Sequence, residues 1–198
     1  LRRIFALMII CFGTFIALNK SRASWHYRHG FNDQNAALLS FDRAKKKTYW
    51  QSSFANYAKA VAKAPYNTRY NYHAANAALM GLQDASKAAP YLSALLERAP
   101  NYINTNRLLC YFQELRFIQL SDKNKKSQAL QLALQANAKE LKINGARLSN
   151  INDALLFALR HALIPLALQT QQLYKAQSLR LGQYLFQDAM IEKLDAWH

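Results

Sequence analysis

Between residues 48 and 119 apolar side chains recur every three to four positions, in runs divided by Pro65, Gly81 and Pro100. Trp50, Phe54, Tyr57 and Val61 form one such stripe and therefore share one face of a helix. The next helix is predicted over 69–80 and stops at Gly81, a natural C-terminal signal. Asp84 or Ser86 can cap its successor, which runs to Ala99. Pro90 falls inside that segment, where it is tolerated in the first turn and kinks the helix elsewhere. Residues 103–119 place Leu108, Leu109, Phe112, Leu115 and Ile118 at helical spacing. A polar, basic loop over 121–126 leads to a helix over 127–142, which Asn144-Gly145 ends. Asn150 or Asn152 caps a helix through Leu159, and Pro165 breaks it. A last helix is expected from about 166 to 194, with a kink at Gly182 and with Leu168, Leu173, Leu185 and Met190 along it. With 5 Gly and 4 Pro in 198 residues, turn residues are too scarce for an all-β fold. The class expected is all-α.

Two segments end alike. Ala64-Pro65-Tyr66-Asn67 follows one helix and Ala99-Pro100-Asn101-Tyr102 follows another, 35 residues later. Between the prolines lie two helical segments joined at Gly81, with small Ala74, Ala77 and Ala78 to let paired helices approach closely. This stretch resembles a tetratricopeptide repeat, with Tyr57, Ala60 and Pro65 matching the end of a preceding unit over about 34–67. The Trp and Leu-Gly positions of the strong consensus are missing. The resemblance is carried by residues 48–104 and implies a helical-repeat solenoid with a concave face that binds peptides or partner proteins. In such a stack the first helix of each pair lines the groove. Arg69, Tyr72 and Asn76 share one helical face, and a 35-residue shift gives Asn104, Arg107 and Tyr111. These six are the expected groove residues, suited to a carboxylate-bearing peptide.

Residues 4–18 contain no charge and are apolar on every face, between Arg2-Arg3 and Lys20, Arg22. As a helix they span about 22 Å, against roughly 30 Å of hydrocarbon, with basic flanks able to snorkel and Trp25 and Tyr27 at the interface. Residues 1–20 are expected as an N-terminal membrane helix or signal anchor. The rival is a cleaved signal peptide with Ser21-Arg22-Ala23 at its end. A basic juxtamembrane linker is expected over 21–33, repeat helix pairs over 34–146 and capping helices over 147–198. Because the chain begins with Leu, a longer upstream part with further membrane helices is also an expectation.

The 26 basic and 11 acidic residues leave a net charge of +15. Arg43, Lys45, Lys46 and Lys47 form the densest cluster, and Lys123, Lys125 and Lys126 a smaller one. Both are candidates for contact with anionic lipid or glycan phosphates. Tyr49 and Trp50 beside the lysines raise nucleic acid, which their place on the packing stripe disfavours. Two cysteines give no disulfide framework, and Cys110 sits in a helical apolar pattern. His26 and His29 are three apart without further ligands, so no metal is expected. HExxH, P-loop, GxSxG and paired-acid motifs are absent, and neither catalysis nor a cofactor is expected.

The function expected is a membrane-anchored module for protein–protein interaction or assembly. The anchor, basic linker and repeat features also resemble the extracytoplasmic tail of bacterial O-antigen ligase or polymerase-like glycan proteins. The residues concerned are Ala64-Pro65-Tyr66-Asn67-Thr68-Arg69-Tyr70 and Leu95-Leu96-Glu97-Arg98-Ala99-Pro100. That resemblance implies a bacterial inner membrane with the helical domain outside the cytoplasm. The alternative is a secreted or peripheral polyanion-binding protein that uses the basic clusters, whose binding would weaken steeply with salt.

Overall fold

A computed structural model describes residues 2–144 and 148–181, which form eight α-helices. They are α1 (Arg2–Leu39), α2 (Arg43–Lys63), α3 (Thr68–Asn76), α4 (Ala85–Arg98), α5 (Thr105–Gln119), α6 (Lys123–Asn144), α7 (Leu148–Arg160) and α8 (Ile164–Leu181). A π-helical turn, Ala77–Gly81, prolongs α3. The chain forms two compact units, Leu1–Ala133 and Leu134–His198, with the boundary inside α6.

In the first unit α1 pairs with α2 and α3 with α4 as consecutive hairpins, α5 packs on α4, and the repeat shows in burial. Ser53, Tyr57 and Ala60 on α2 are buried, as are Ala88, Leu92 and Leu95 on α4, each 35 positions on. Asn71, Ala75, Ala78 and Leu79 are buried, and so are Asn106, Cys110, Gln113 and Glu114 on α5. The unit ends also match in backbone. Ala64 has φ −144°, ψ 71° and Ala99 has φ −148°, ψ 65°, because a following proline excludes the helical region. Arg98 joins the two closures, donating from Nη1 to the Pro65 carbonyl at 2.6 Å and lying over the Tyr66 ring at 4.6 Å.

Helix ends follow the local chemistry. Asp42 accepts from the Ala44 and Lys45 amides, Asn67 from Tyr70, and Asp84 from Lys87. Pro90 lies in the sixth position of α4, and the helix continues to Arg98 because buried Ala88, Leu92 and Leu95 hold both flanks. The expected loop over 121–126 is mostly helix, since Asp122 caps α6 through the Lys125 amide at 2.9 Å.

The largest difference from expectation is at the N-terminus. Residues 21–33, expected as a linker, belong to α1 and continue it unbroken to Leu39. Ala23, Tyr27, Gly30 and Ala37 are buried at helical spacing and face α2. At Gly30 an added Cβ would lie 2.9 Å from the Tyr57 ring and 3.1 Å from the Ser53 carbonyl, and the Ser53 hydroxyl donates to the Gly30 carbonyl at 2.8 Å. The first hairpin is therefore built from residues further upstream than the 34–67 unit expected. Among the described residues no helix is long and apolar enough to cross a membrane, so the expected N-terminal membrane helix is not supported. The side chains of 4–11 in that apolar run lie outside the described residues.

In the second unit Leu155, Ala158 and Ala167 form a small core with Leu159, Leu163 and Leu166. Pro165 occupies the second position of α8, where no amide hydrogen is needed, so it opens that helix. Asn150 and Asn152 lie inside α7, whose buried apolar face already begins at Ile151. The last helix is described only to Leu181, and Gly182, Leu185, Met190 and Leu194 lie outside the described residues.

Candidate interaction face

His73, in the middle of α3, is surrounded by aromatic rings from three helices. Its ring centroid lies 5.3 Å from Tyr27 and 6.3 Å from Phe31 on α1, 5.2 Å from Tyr57 on α2 and 5.4 Å from Tyr72 on α3. The Tyr27 hydroxyl is 3.1 Å from His73 Nε2 and accepts from Arg69 Nε at 2.8 Å. Arg69 Cζ also stands 4.9 Å from the Tyr27 ring centroid, and Tyr70 stacks on that ring at 5.0 Å. Tyr57 donates its hydroxyl to Gln34 Oε1 at 2.8 Å. Burial and the Arg69 charge push the His73 pKa down to about 4, so the imidazole is neutral at physiological pH. Burial raises the Tyr57 pKa strongly, and it raises that of Tyr27 against the opposing effect of Arg69. His73, Tyr27 and Tyr57 are therefore neutral.

The six expected groove residues occupy distinct settings. Arg69 is exposed, and Tyr72 and Asn76 are half-buried, on the face of α3 that also carries His73. Arg107 and Tyr111 are half-buried on α5, with Arg107 Cζ 5.9 Å from the Tyr111 ring. Asn104 departs from the pattern. It precedes α5 in a left-handed conformation, φ 61°, so it is a turn residue and no helical counterpart of Arg69. The cause is length: the α5 start, Thr105, lies two residues later than a 35-residue shift of the α3 start, Thr68, would put it. Tyr72 packs on Tyr102 from that same turn at 5.6 Å.

Sequence periodicity does not reveal Tyr27, His73 or Tyr102 as parts of this face. Tyr27 falls in the stretch expected as linker, and His73 stands in the sequence as an isolated helical histidine. The available signal is the Gly30-to-Tyr27 spacing, which puts both on the side of α1 that meets α2.

The basic clusters lie elsewhere. Arg43, Lys45, Lys46 and Lys47 are exposed on the first turns of α2, and Lys123 and Lys125 are exposed on α6. Lys126 is half-buried, with Nζ 5.8 Å from the Phe117 ring. Among the described residues none of these forms an ion pair; Lys87 and Asp84 do, at 3.0 Å. His26 and His29 pack against Trp25, at 4.9 and 4.0 Å between centroids. Among the described residues no cluster of three or more His, Cys, Asp or Glu could hold a metal ion.

No family model and no curated protein matches the sequence. The fold does match a solved structure. It is similar to the crystal structure of a thermophilic tetratricopeptide-repeat protein from Thermus thermophilus, with a TM-score of 0.53 over 78% of this chain and 84% of that one, at 15% sequence identity. The chain therefore has a tetratricopeptide-like, all-helical repeat fold.

Proposed function

We propose that this protein is a non-catalytic interaction module that holds an acidic peptide segment of a partner against the first helices of its repeats. Arg69 is the charged anchor on α3, Arg107 supplies a second cation from α5, and Tyr72 and Tyr111 supply ring surface. The supporting observation is the state of Arg69. Its Nε is committed to Tyr27, which fixes the guanidinium, while the terminal amino groups have no hydrogen-bond partner among the described residues. A guanidinium already ordered by the fold loses little freedom on binding a carboxylate, and the paired donors match that group's geometry. Partner recovery from a membrane extract tests the reading. Arg69→Ala with Arg107→Ala should lose the partner while helicity is retained; undiminished recovery with helicity retained would overturn it.

A second reading, membrane attachment through residues 4–18, is favoured by one feature. Residues 12–18 are exposed on every side of α1, with Phe12 at 67%, Phe15 at 61% and Leu18 at 58%. The placement of this domain outside the cytoplasm beside glycan-polymerising proteins rests on sequence resemblance alone. Resistance of the native chain to carbonate extraction tests the attachment, and a carbonate-soluble product would refute it.

A further inference from the structure

The turn between α1 and α2 carries the most exposed large apolar side chain among the described residues. Phe41 is 103% exposed, Leu39 78% and Leu38 59%. Four cations follow at once, Arg43, Lys45, Lys46 and Lys47, all exposed and none in an ion pair among the described residues. The acid between the two groups is spent locally: Asp42 Oδ1 accepts from the Ala44 and Lys45 amides at 2.8 and 3.1 Å. The Ala44 and Lys45 amides are thereby satisfied, so the side-chain cations are the main charge that an incoming anion meets.

We infer that this hairpin tip docks on an anionic phospholipid surface. Phe41 and Leu39 enter the acyl boundary, and the lysines meet the headgroup phosphates. The shape favours lipid over a folded protein. A three-residue turn ends a helical hairpin and offers no concave wall to seat a partner's side chain, whereas a fluid interface closes around a protruding ring. Three of the four cations are lysines, which act as mobile point charges, where a folded acidic partner would be gripped better by the planar fork of arginine. An apolar insert beside a polybasic cluster also provides the two signals that stable peripheral binding needs. This surface is separate from the Arg69 face. It is also separate from the run 4–18, since Leu39 follows Leu18 by 21 positions along α1, about 30 Å.

The test uses the full chain with phosphatidylcholine vesicles, with and without phosphatidylserine. The native chain should partition more strongly onto the serine-containing vesicles, and less as salt rises. Lys45→Gln with Lys46→Gln and Lys47→Gln should reduce that partition about a hundredfold, at about fivefold per basic residue. Leu39→Ser with Phe41→Ser should reduce it about tenfold, with helicity unchanged because both side chains are exposed. Partition of these two variants equal to that of the native chain would overturn the inference, whatever residues 4–18 contribute. So would binding to soluble polyglutamate as firm as to vesicles and indifferent to Leu39→Ser and Phe41→Ser, which would identify an acidic protein as the occupant.

Discussion

Gly81 ends the π-helical turn directly against the indole of Trp50, so closely that an added Cβ would clash with the ring atoms. From sequence this glycine reads as a helix stop. In the fold its role is the close approach of the first hairpin to the second. Gly81→Ala should therefore destabilise the protein by about 1–3 kcal/mol, the usual cost of overpacking. Gly13→Ala is the control: nothing lies within 4 Å of its Cβ position, and alanine should stabilise α1 by roughly 0.5–1 kcal/mol. Urea denaturation of both variants checks the pair. Equal effects would show that Gly81 acts through backbone freedom alone.

The apolar stripe on α2 is not uniformly buried. Tyr57 is fully buried and Trp50 is 6% exposed, while Phe54 and Val61 are half-buried at the edge of the core. Tyr57→Ala should cost about 3–5 kcal/mol, and Phe54→Ala less, about 2 kcal/mol. Phe41→Ala should leave the denaturation midpoint unchanged. A larger loss from Phe54→Ala than from Tyr57→Ala would contradict the packing described.

Acid should weaken the fold through His73. Its pKa falls from about 6.5 in the unfolded chain to about 4 in the folded one, so between those values the unfolded chain binds more protons. The stability that the neutral imidazole contributes is complete above pH 6.5 and is lost as pH falls toward 4. The ring is half-buried, so the loss is about 2 kcal/mol after allowance for solvent screening. Denaturation midpoints at pH 7 and 4.5 should separate less in His73→Asn than in the native chain. Equal separations would exclude His73 as the titrating group.

The repeat was legible because its signals are local. Pro65 and Pro100 each force the preceding alanine out of the helical region, and the 35-residue spacing carries through to which positions are buried. The first hairpin was hidden because its helix merges with the apolar run upstream, and the cap-type Ser21 and Ser24 and the breaker-type Gly30 all lie inside that helix without ending it. Four of the expected groove residues are half-buried on α3 and α5 and Arg69 is exposed there, while Asn104 falls in a turn that no periodicity could resolve. The contact that orders Arg69 joins residues 42 apart in sequence, through tertiary packing alone.

On the proposed function, Arg69, held by Tyr27, receives a partner's carboxylate. The most direct measurement is capture of a library of short peptides, presented with free and with amidated C-termini, by the native chain and by Arg69→Gln with Arg107→Gln. The account predicts that the native chain enriches acidic and free-carboxylate peptides, and that the double variant loses that enrichment with its helicity intact. An enrichment unchanged by the two substitutions, or a native preference for basic or amidated peptides, would contradict it.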